Sequence, residues 1–415
     1  MTARRYKHGM HTCSTTPHAV IIGGSIGGLM AGLLLRRIGW RVTICERSAV
    51  PLSGRGAGIV THEALWQALF QAGLTEAQRH GVVVHDRVAF AQDGRELARM
   101  RYRQIMTSWD HLFGMLRALY GTADYHLGQE LAGIVPHAGH VTARFVDGSA
   151  LDADLIVGAD GFRSTVRALA SPNIRPVYTG YVGWRGMVEE RQIAPATHER
   201  LFALFGFCLP PGEQMITYPV VGELHDTRPG HRRGNYVWYR PVEAEHGLRD
   251  LLTDARGAYH GLSIPPPLIR ASHIDALRRD AALLLAPDFA DLVMTTQAPF
   301  LQPIYDLASD RIAFGRVALL GDAAFQARPH VGAGVTKAAL DAVALARALH
   351  GAISVEAGLE AYNAERVPEG QRIVQRARHL GAYMQAHLAT EEEREAARQH
   401  HSPEAVIAET AVADI

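Results

Sequence analysis

Apolar positions along this chain come in short unbroken runs and in longer helical stretches. His18-Ala-Val-Ile-Ile22, Arg41-Val-Thr-Ile-Cys45, Leu155-Ile-Val157 and Val317-Ala-Leu-Leu320 are unbroken runs, the mark of strands buried on both faces. Leu29 to Ile38, closed by Gly39, reads as a helix. Strand, helix and second strand follow so closely that they form one βαβ unit, with a parallel pair and a right-handed crossover. Further helices are expected over Asp110 to Leu119, Ala338 to His350 and most of Glu356 to Gln385. Val82-Val-Val84 and Val88-Ala-Phe90 read as separate strands. From 175 to 300, β-rich pieces such as Met215-Ile-Thr-Tyr218 and Tyr236-Val-Trp-Tyr239 alternate with Pro and Gly breaks, which predicts a largely antiparallel sheet.

The predicted architecture is α/β. A Rossmann-like domain is assembled from the discontinuous segments 17–74, 104–174 and 301–350, and a β-rich domain from 75–103 and 175–300 is inserted into it. A C-terminal helical segment over 351–390 and a tail over 391–415, to which no role is assigned, complete the chain. Residues 1–16 read as a disordered extension.

Composition narrows the partners. Among 415 residues, 42 Lys and Arg balance 42 Asp and Glu, so no bulk charge favours nucleic acid or an anionic membrane. No apolar run has the length of a membrane span or the layout of a signal peptide. Cys13, Cys45 and Cys208 are scattered, which fits a reducing, cytoplasmic setting and no disulfide framework. The histidines are dispersed, and no metal site is expected.

Three motifs carry the chemistry. Gly23-Gly-Ser-Ile-Gly-Gly28 joins the first strand to its helix, where glycines allow a tight turn and helix N–H groups meet an anionic phosphate. Ser25 replaces the expected second glycine. Glu46 ends the second strand, where an acid accepts from ribose hydroxyls. Gly158-Ala-Asp-Gly-Phe-Arg-Ser-Thr-Val-Arg167 follows one buried strand, and Gly321-Asp-Ala-Ala-Phe-Gln-Ala-Arg-Pro-His-Val-Gly-Ala-Gly334 another. Each puts a carboxylate, Asp160 or Asp322, at the C-terminal edge of a sheet, where such folds bind ligands.

In these motifs, their order and spacing, and in Tyr362, Arg366 and Pro368, the chain resembles the single-component flavoprotein aromatic hydroxylases, the para-hydroxybenzoate hydroxylase class. Glu46-Arg-Ser48, Pro51-Leu-Ser-Gly54, Gly58-Ile-Val60, Gly180-Tyr-Val-Gly-Trp-Arg-Gly186 and Arg328-Pro-His330 resemble its dihydroxypyridine monooxygenase branch. The resemblance implies FAD in the Rossmann-like domain and a small aromatic substrate in the inserted one. Expected cofactor contacts are Gly23, Ser25, Ile26, Gly28, Glu46, Arg47, Ser53, Gly58, Leu127, Asp160, Asp322, Pro329, Gly332, Ala333 and Gly334. It departs from the class at Trp109, where an arginine is usual, and at Ala333 and Thr336, where glutamine and asparagine are usual.

The implied reaction consumes NADH or NADPH and O₂ and hydroxylates a hydroxylated ring, a (di)hydroxypyridine, through a flavin hydroperoxide. The helix opening at Pro329 to Gly334 would face the flavin, where its positive end stabilises the reduced ring. For a base that activates the ring hydroxyl, His330 is favoured because histidine titrates near neutrality, with Tyr218 second. Arg185 could hold an anionic ring substituent, whereas Trp184 and Trp238 read as core. A homodimer is implied by the resemblance alone. A benzenoid phenol such as salicylate is the alternative substrate. A flavin halogenase or reductase is the alternative enzyme, and a redox-inert flavin-binding module the non-enzymatic one. No halogenase-type Trp-x-Trp-x-Ile-Pro stretch is present.

Overall fold

The computed structural model describes residues 16–54 and 57–412. The expected disordered extension lies outside these but for Thr16, and Cys13 lies outside them too. Strand His18–Ile22 pairs in parallel with Arg41–Glu46 on one side and Leu155–Gly158 on the other. Tyr125–Leu127 extends the sheet beyond Arg41–Glu46, Val317–Leu319 extends it beyond Leu155–Gly158, and Ala313–Phe314 closes that edge as a hairpin. The four unbroken apolar runs are thus neighbours in one six-stranded sheet. Helices Ile26–Arg37, Glu63–Ala72, Trp109–Tyr120 and Gly334–Leu349 share its core with a three-stranded meander, Leu131–Pro136, Val141–Phe145 and Ala150–Ala153.

The second sheet has nine strands and is antiparallel except where Phe205–Cys208 runs parallel to Val82–Phe90. Alternation along Val177–Glu189 and Arg233–Pro241 sends Val182, Trp184, Tyr236 and Trp238 to one face, and Tyr181, Arg185, Val237 and Tyr239 to the other. Trp184 and Trp238 are core, as expected, and the Trp238 indole donates to Glu213 at 2.7 Å.

Three expectations need correction, and the tail, to which no role was assigned, is also placed. Residues 271–295 are not sheet but the helices Ala271–Leu284 and Pro287–Thr295, whose Leu277, Ala281, Phe289 and Leu292 cover the tryptophan face. Val82 to Phe90 is one strand, with an irregular register between Val84 and Asp86. The helix expected from Ala338 begins at Gly334. The tail is ordered into helices Glu391–Gln399 and Pro403–Glu409, capped by the Thr390 and Ser402 hydroxyls. Among the described residues no helix is long and apolar enough to cross a membrane.

Candidate active site

The glycine turn is dictated by close approach of backbone. Gly23 has φ 106°, and a Cβ there would lie 2.4 Å from the Ala159 carbonyl oxygen. Gly28 is constrained by the turn itself, because its Cβ would fall 1.9 Å from the Gly23 carbonyl. Ser25 caps Ile26–Arg37 without a side-chain hydrogen bond, which leaves first-turn N–H groups open to the cleft that Ile26 and Gly27 line. Glu46 is buried at the end of its strand, and its carboxylate accepts from Gly24 N and Ser48 N, both at 2.9 Å. It holds the turn in shape while lining the same cleft.

That cleft encloses 430 Å³. Of the expected cofactor contacts, Gly23, Ser25, Ile26, Glu46, Arg47, Asp160, Asp322 and Gly334 lie on its wall. Gly28, Ser53, Gly58, Leu127, Pro329, Gly332 and Ala333 do not. Ser53 is exposed in a turn, and Gly58 packs under Tyr218 and Asn235. Leu127 pairs with Glu46 in the sheet. Pro329 borders a second cavity, of 240 Å³, with Phe162 and Tyr305. Trp109, at the position where the class has arginine, offers the first cleft a ring stacked on Phe113 at 4.8 Å.

The two aspartates are held differently. Asp160 accepts from Ser164 Oγ at 2.5 Å, Thr165 N at 2.7 Å and Val166 N at 3.1 Å, so it caps the helix Thr165–Ala170. Arg167 ties the two motifs together by donating to the carbonyls of Phe162 and Ala323. Asp322 faces the cleft with Lys337 Nζ 3.7 Å away. Lys337 is fully buried, lies 4.0 Å from Asp341 and makes no closer hydrogen bond. Asp341 in turn accepts from Gly321 N at 3.0 Å and from Arg366 at 2.8 Å. Sequence reading missed Lys337 and Asp341, although their i,i+4 spacing on the helix Gly334–Leu349 was a usable signal.

These features suit a flavin dinucleotide. Two helix N-termini without side-chain caps, at Ser25 and Ala333, open on one cleft floored by glycines. Glu46 and Asp322 both bring a carboxylate to this cleft.

The remaining candidates lie on the inner face of the large sheet. Tyr218 is buried opposite Asn235 and edge-on to Phe205 at 5.1 Å, and burial pushes its phenol up. Asn235 accepts from Gly58 N at 3.0 Å, and its side-chain amide also interacts with the Tyr218 phenol. Arg185 is half-buried and in no ion pair among the described residues, with a buried Nε that has no partner. Its charge reaches Tyr218, Tyr239 and His330. His330 is buried, with Nε2 2.9 Å from the Tyr181 hydroxyl and Nδ1 without a partner. Burial, and then Arg328 and Arg185, pull its pKa down to about 3. These surroundings disfavour the charged ring, in contrast to the near-neutral titration expected of His330.

The FAD binding domain family matches residues 16–228 and 292–377 of the chain. This protein belongs to that family. A second match, described as FAD binding domain-like, covers residues 178–306. The chain is 32% identical to 2,6-dihydroxypyridine 3-monooxygenase of Paenarthrobacter nicotinovorans over 380 residues, 89% of this chain and 92% of the relative. It is 26% identical over 379 residues to an FAD-dependent urate hydroxylase of Klebsiella pneumoniae, covering 87% and 88% of the two chains. Among solved structures, 2,6-dihydroxypyridine-3-hydroxylase from Arthrobacter nicotinovorans superposes with TM-score 0.84 at 30% identity, over 92% of this chain and 96% of the other. A Klebsiella pneumoniae protein crystallised with FAD and uric acid shares the fold, with TM-score 0.73 at 22% identity over 95% and 93% of the chains. The family member described here is an FAD-dependent monooxygenase of the aromatic hydroxylase class, with the FAD-binding part drawn from discontinuous segments.

Proposed function

We propose that this protein hydroxylates an acidic hydroxylated heteroaromatic ring, a hydroxypyridine, with electrons from NADH or NADPH and oxygen from O₂. Arg185 is the observation that carries the substrate class. An unpaired guanidinium beside neutral phenols and a neutral imidazole is matched to an anionic ring, and its charge favours the ionised form of a ring hydroxyl. Ionisation makes the ring a stronger electron donor, which is what an electrophilic oxygen requires. Bound FAD supplies reduction by the nicotinamide and activation of O₂.

The chain's own groups do the rest. His330 Nδ1, without a partner among the described residues, offers a hydrogen bond to the ring as donor or acceptor. Burial makes His330 a weak proton acceptor and keeps Tyr218 protonated, so the ring hydroxyl loses its proton to solvent water as the substrate enters, and Arg185 favours the ionised form by holding the anion. Val60, Phe205, Phe207, Ile216 and Val237 form an apolar surround that limits water. Relatives that act on dihydroxypyridine and urate, both acidic nitrogen heterocycles, support this choice over a benzenoid phenol. Gly23, Ser25, Ile26, Glu46, Arg47, Asp160, Asp322 and Gly334 are proposed as the FAD contacts.

The test follows NADH and NADPH oxidation by the FAD-loaded protein with hydroxypyridines and hydroxybenzoates, together with H₂O₂ release and product mass. A hydroxypyridine that speeds oxidation and gains one oxygen with little peroxide is expected. Oxygen gain by benzenoid phenols alone would overturn the substrate class.

A further inference from the structure

Arg87 is fully buried on Val82–Phe90, and no carboxylate pairs with it among the described residues. Its Nε donates to Gln104 Oε1 at 3.0 Å. All its other hydrogen bonds go to the C-terminal segment: Nη1 to Ile407 O at 2.6 Å, and Nη2 to Thr410 O at 2.6 Å and Ala411 O at 3.4 Å. The rings of Phe205 and Tyr102 lie 4.9 and 5.1 Å from the guanidinium. Gln104 Nε2 and His62 Nε2 also reach Ala411 O, at 2.9 and 3.3 Å. Four side-chain contacts therefore converge on Thr410 and Ala411, both buried.

The tail passes this grip onward. Ala411 N donates to His330 O at 2.7 Å. Its Cβ packs so tightly that a methyl on Gly332 would sit 2.5 Å away, and Ala411 itself is held at φ 52°. Val406 and Ile407 join the apolar cluster that contains Tyr218, Tyr239 and Val60. His62, besides holding Ala411, meets Thr336 Oγ1 at 3.3 Å in the first turn of the helix that opens at Gly334.

We infer that Arg87 is a positioning residue of the active centre, which clamps residues 402–412 against His330 to Gly332 and so fixes the loop between the cofactor cleft and the candidate substrate face. The inference rests on the proposed function for the role of that loop. A buried cation with no carboxylate partner, whose two terminal nitrogens donate to carbonyls of the tail and whose Nε alone is held by Gln104, is strongly disfavoured in that position once the tail leaves. Docking of the tail and burial of Arg87 are thus one linked event, and the loop is ordered by it. A loosened loop admits water, so reducing equivalents go to H₂O₂ instead of product.

The experiment compares the full chain with Arg87→Gln, Arg87→Lys, and a chain ending at His401 that also carries Arg87→Leu. The last variant removes the cation together with its tail partners, so that it folds without a bare buried charge. Amide hydrogen exchange is measured on FAD-loaded and apo protein, with peroxide yield per NADH on a hydroxypyridine. Arg87→Gln and the shortened chain should exchange about tenfold faster at residues 328–334 with the six-stranded sheet unchanged. Their peroxide fraction should rise roughly twofold or more, with Arg87→Lys in between. Unchanged exchange at 328–334 in a folded variant would overturn the inference, whatever the turnover. Faster exchange there in a protein that hydroxylates no ring would leave the positioning role standing and sink the proposed function instead.

Discussion

The Tyr181 hydroxyl lies 2.9 Å from His330 Nε2, with the Tyr239 ring 4.5 Å from the same imidazole. Burial lowers His330 to about 3 and raises Tyr181, so both partners are neutral across the working pH range. Such a histidine is expected to orient rather than to take up a proton. The pH profile of kcat/KM should then carry no limb near pH 6.5 that belongs to this residue. His330→Gln, which keeps a hydrogen-bonding side chain, should lose less than ~10-fold in kcat/KM, the tenfold corresponding to ~1.4 kcal/mol. A limb near neutrality in the wild type that vanishes in His330→Gln would restore the histidine as base.

Arg185 makes the opposite prediction. Removing its charge with Arg185→Met should reduce kcat/KM by roughly 10–150-fold, the equivalent of losing a hydrogen bond to a charged group. FAD affinity should not change, since Arg185 does not line the 430 Å³ cleft. The apparent pKa of the bound ring hydroxyl should rise, visible as an alkaline shift in the absorbance titration of enzyme-bound substrate. An unshifted titration would mean that the ring ionises without help from Arg185.

The legibility of these groups from sequence follows their physics. Strands such as His18–Ile22 are buried on both faces and left unbroken apolar runs. The turn at Gly23 was legible because only glycine tolerates 2.4 Å to the Ala159 carbonyl. The helices at 271–295 were hidden behind Pro and Gly punctuation, and only their Leu277 and Ala281 spacing betrays them. His330 could be placed in the right loop, but its charge state depends on burial and on Arg185 and Arg328, which come from separate strands and loops. The tail could not be read at all, because its order depends on Arg87 and Gln104, more than 300 positions away in the sequence.

Glu46 should be needed for FAD affinity through the turn as much as through the ribose. Glu46→Ala leaves Gly24 N and Ser48 N without their acceptor, each now 2.9 Å from the carboxylate. Losing acceptors for such N–H groups costs roughly 1–3 kcal/mol, so the FAD dissociation constant should rise about 5–150-fold. Glu46→Gln keeps one acceptor oxygen and should fall in between. Flavin fluorescence titration of the apoprotein reads this directly, and equal affinities for all three proteins would remove Glu46 from the site.

Acid sensitivity should trace in part to His111. It is buried in the helix Trp109–Tyr120, with both ring nitrogens unpartnered and the His225 ring 4.5 Å away. Burial, followed by His225 and His80 and opposed by Asp110, lowers its pKa to about 4. A depressed folded pKa means that the native state binds fewer protons than the unfolded chain between about 6.5 and 4. The stabilisation is therefore present above pH 6.5 and is lost as pH falls through that window, by up to about 3 kcal/mol. His62 and His330 are shifted the same way, and the three act together. His111→Phe removes one titration and two unsatisfied nitrogens, so its stability should decline less steeply between pH 6.5 and 4 than that of the wild type. Urea unfolding across that range measures the slope; parallel curves for the two proteins would show that His111 is protonated in the folded state and contributes nothing to the loss.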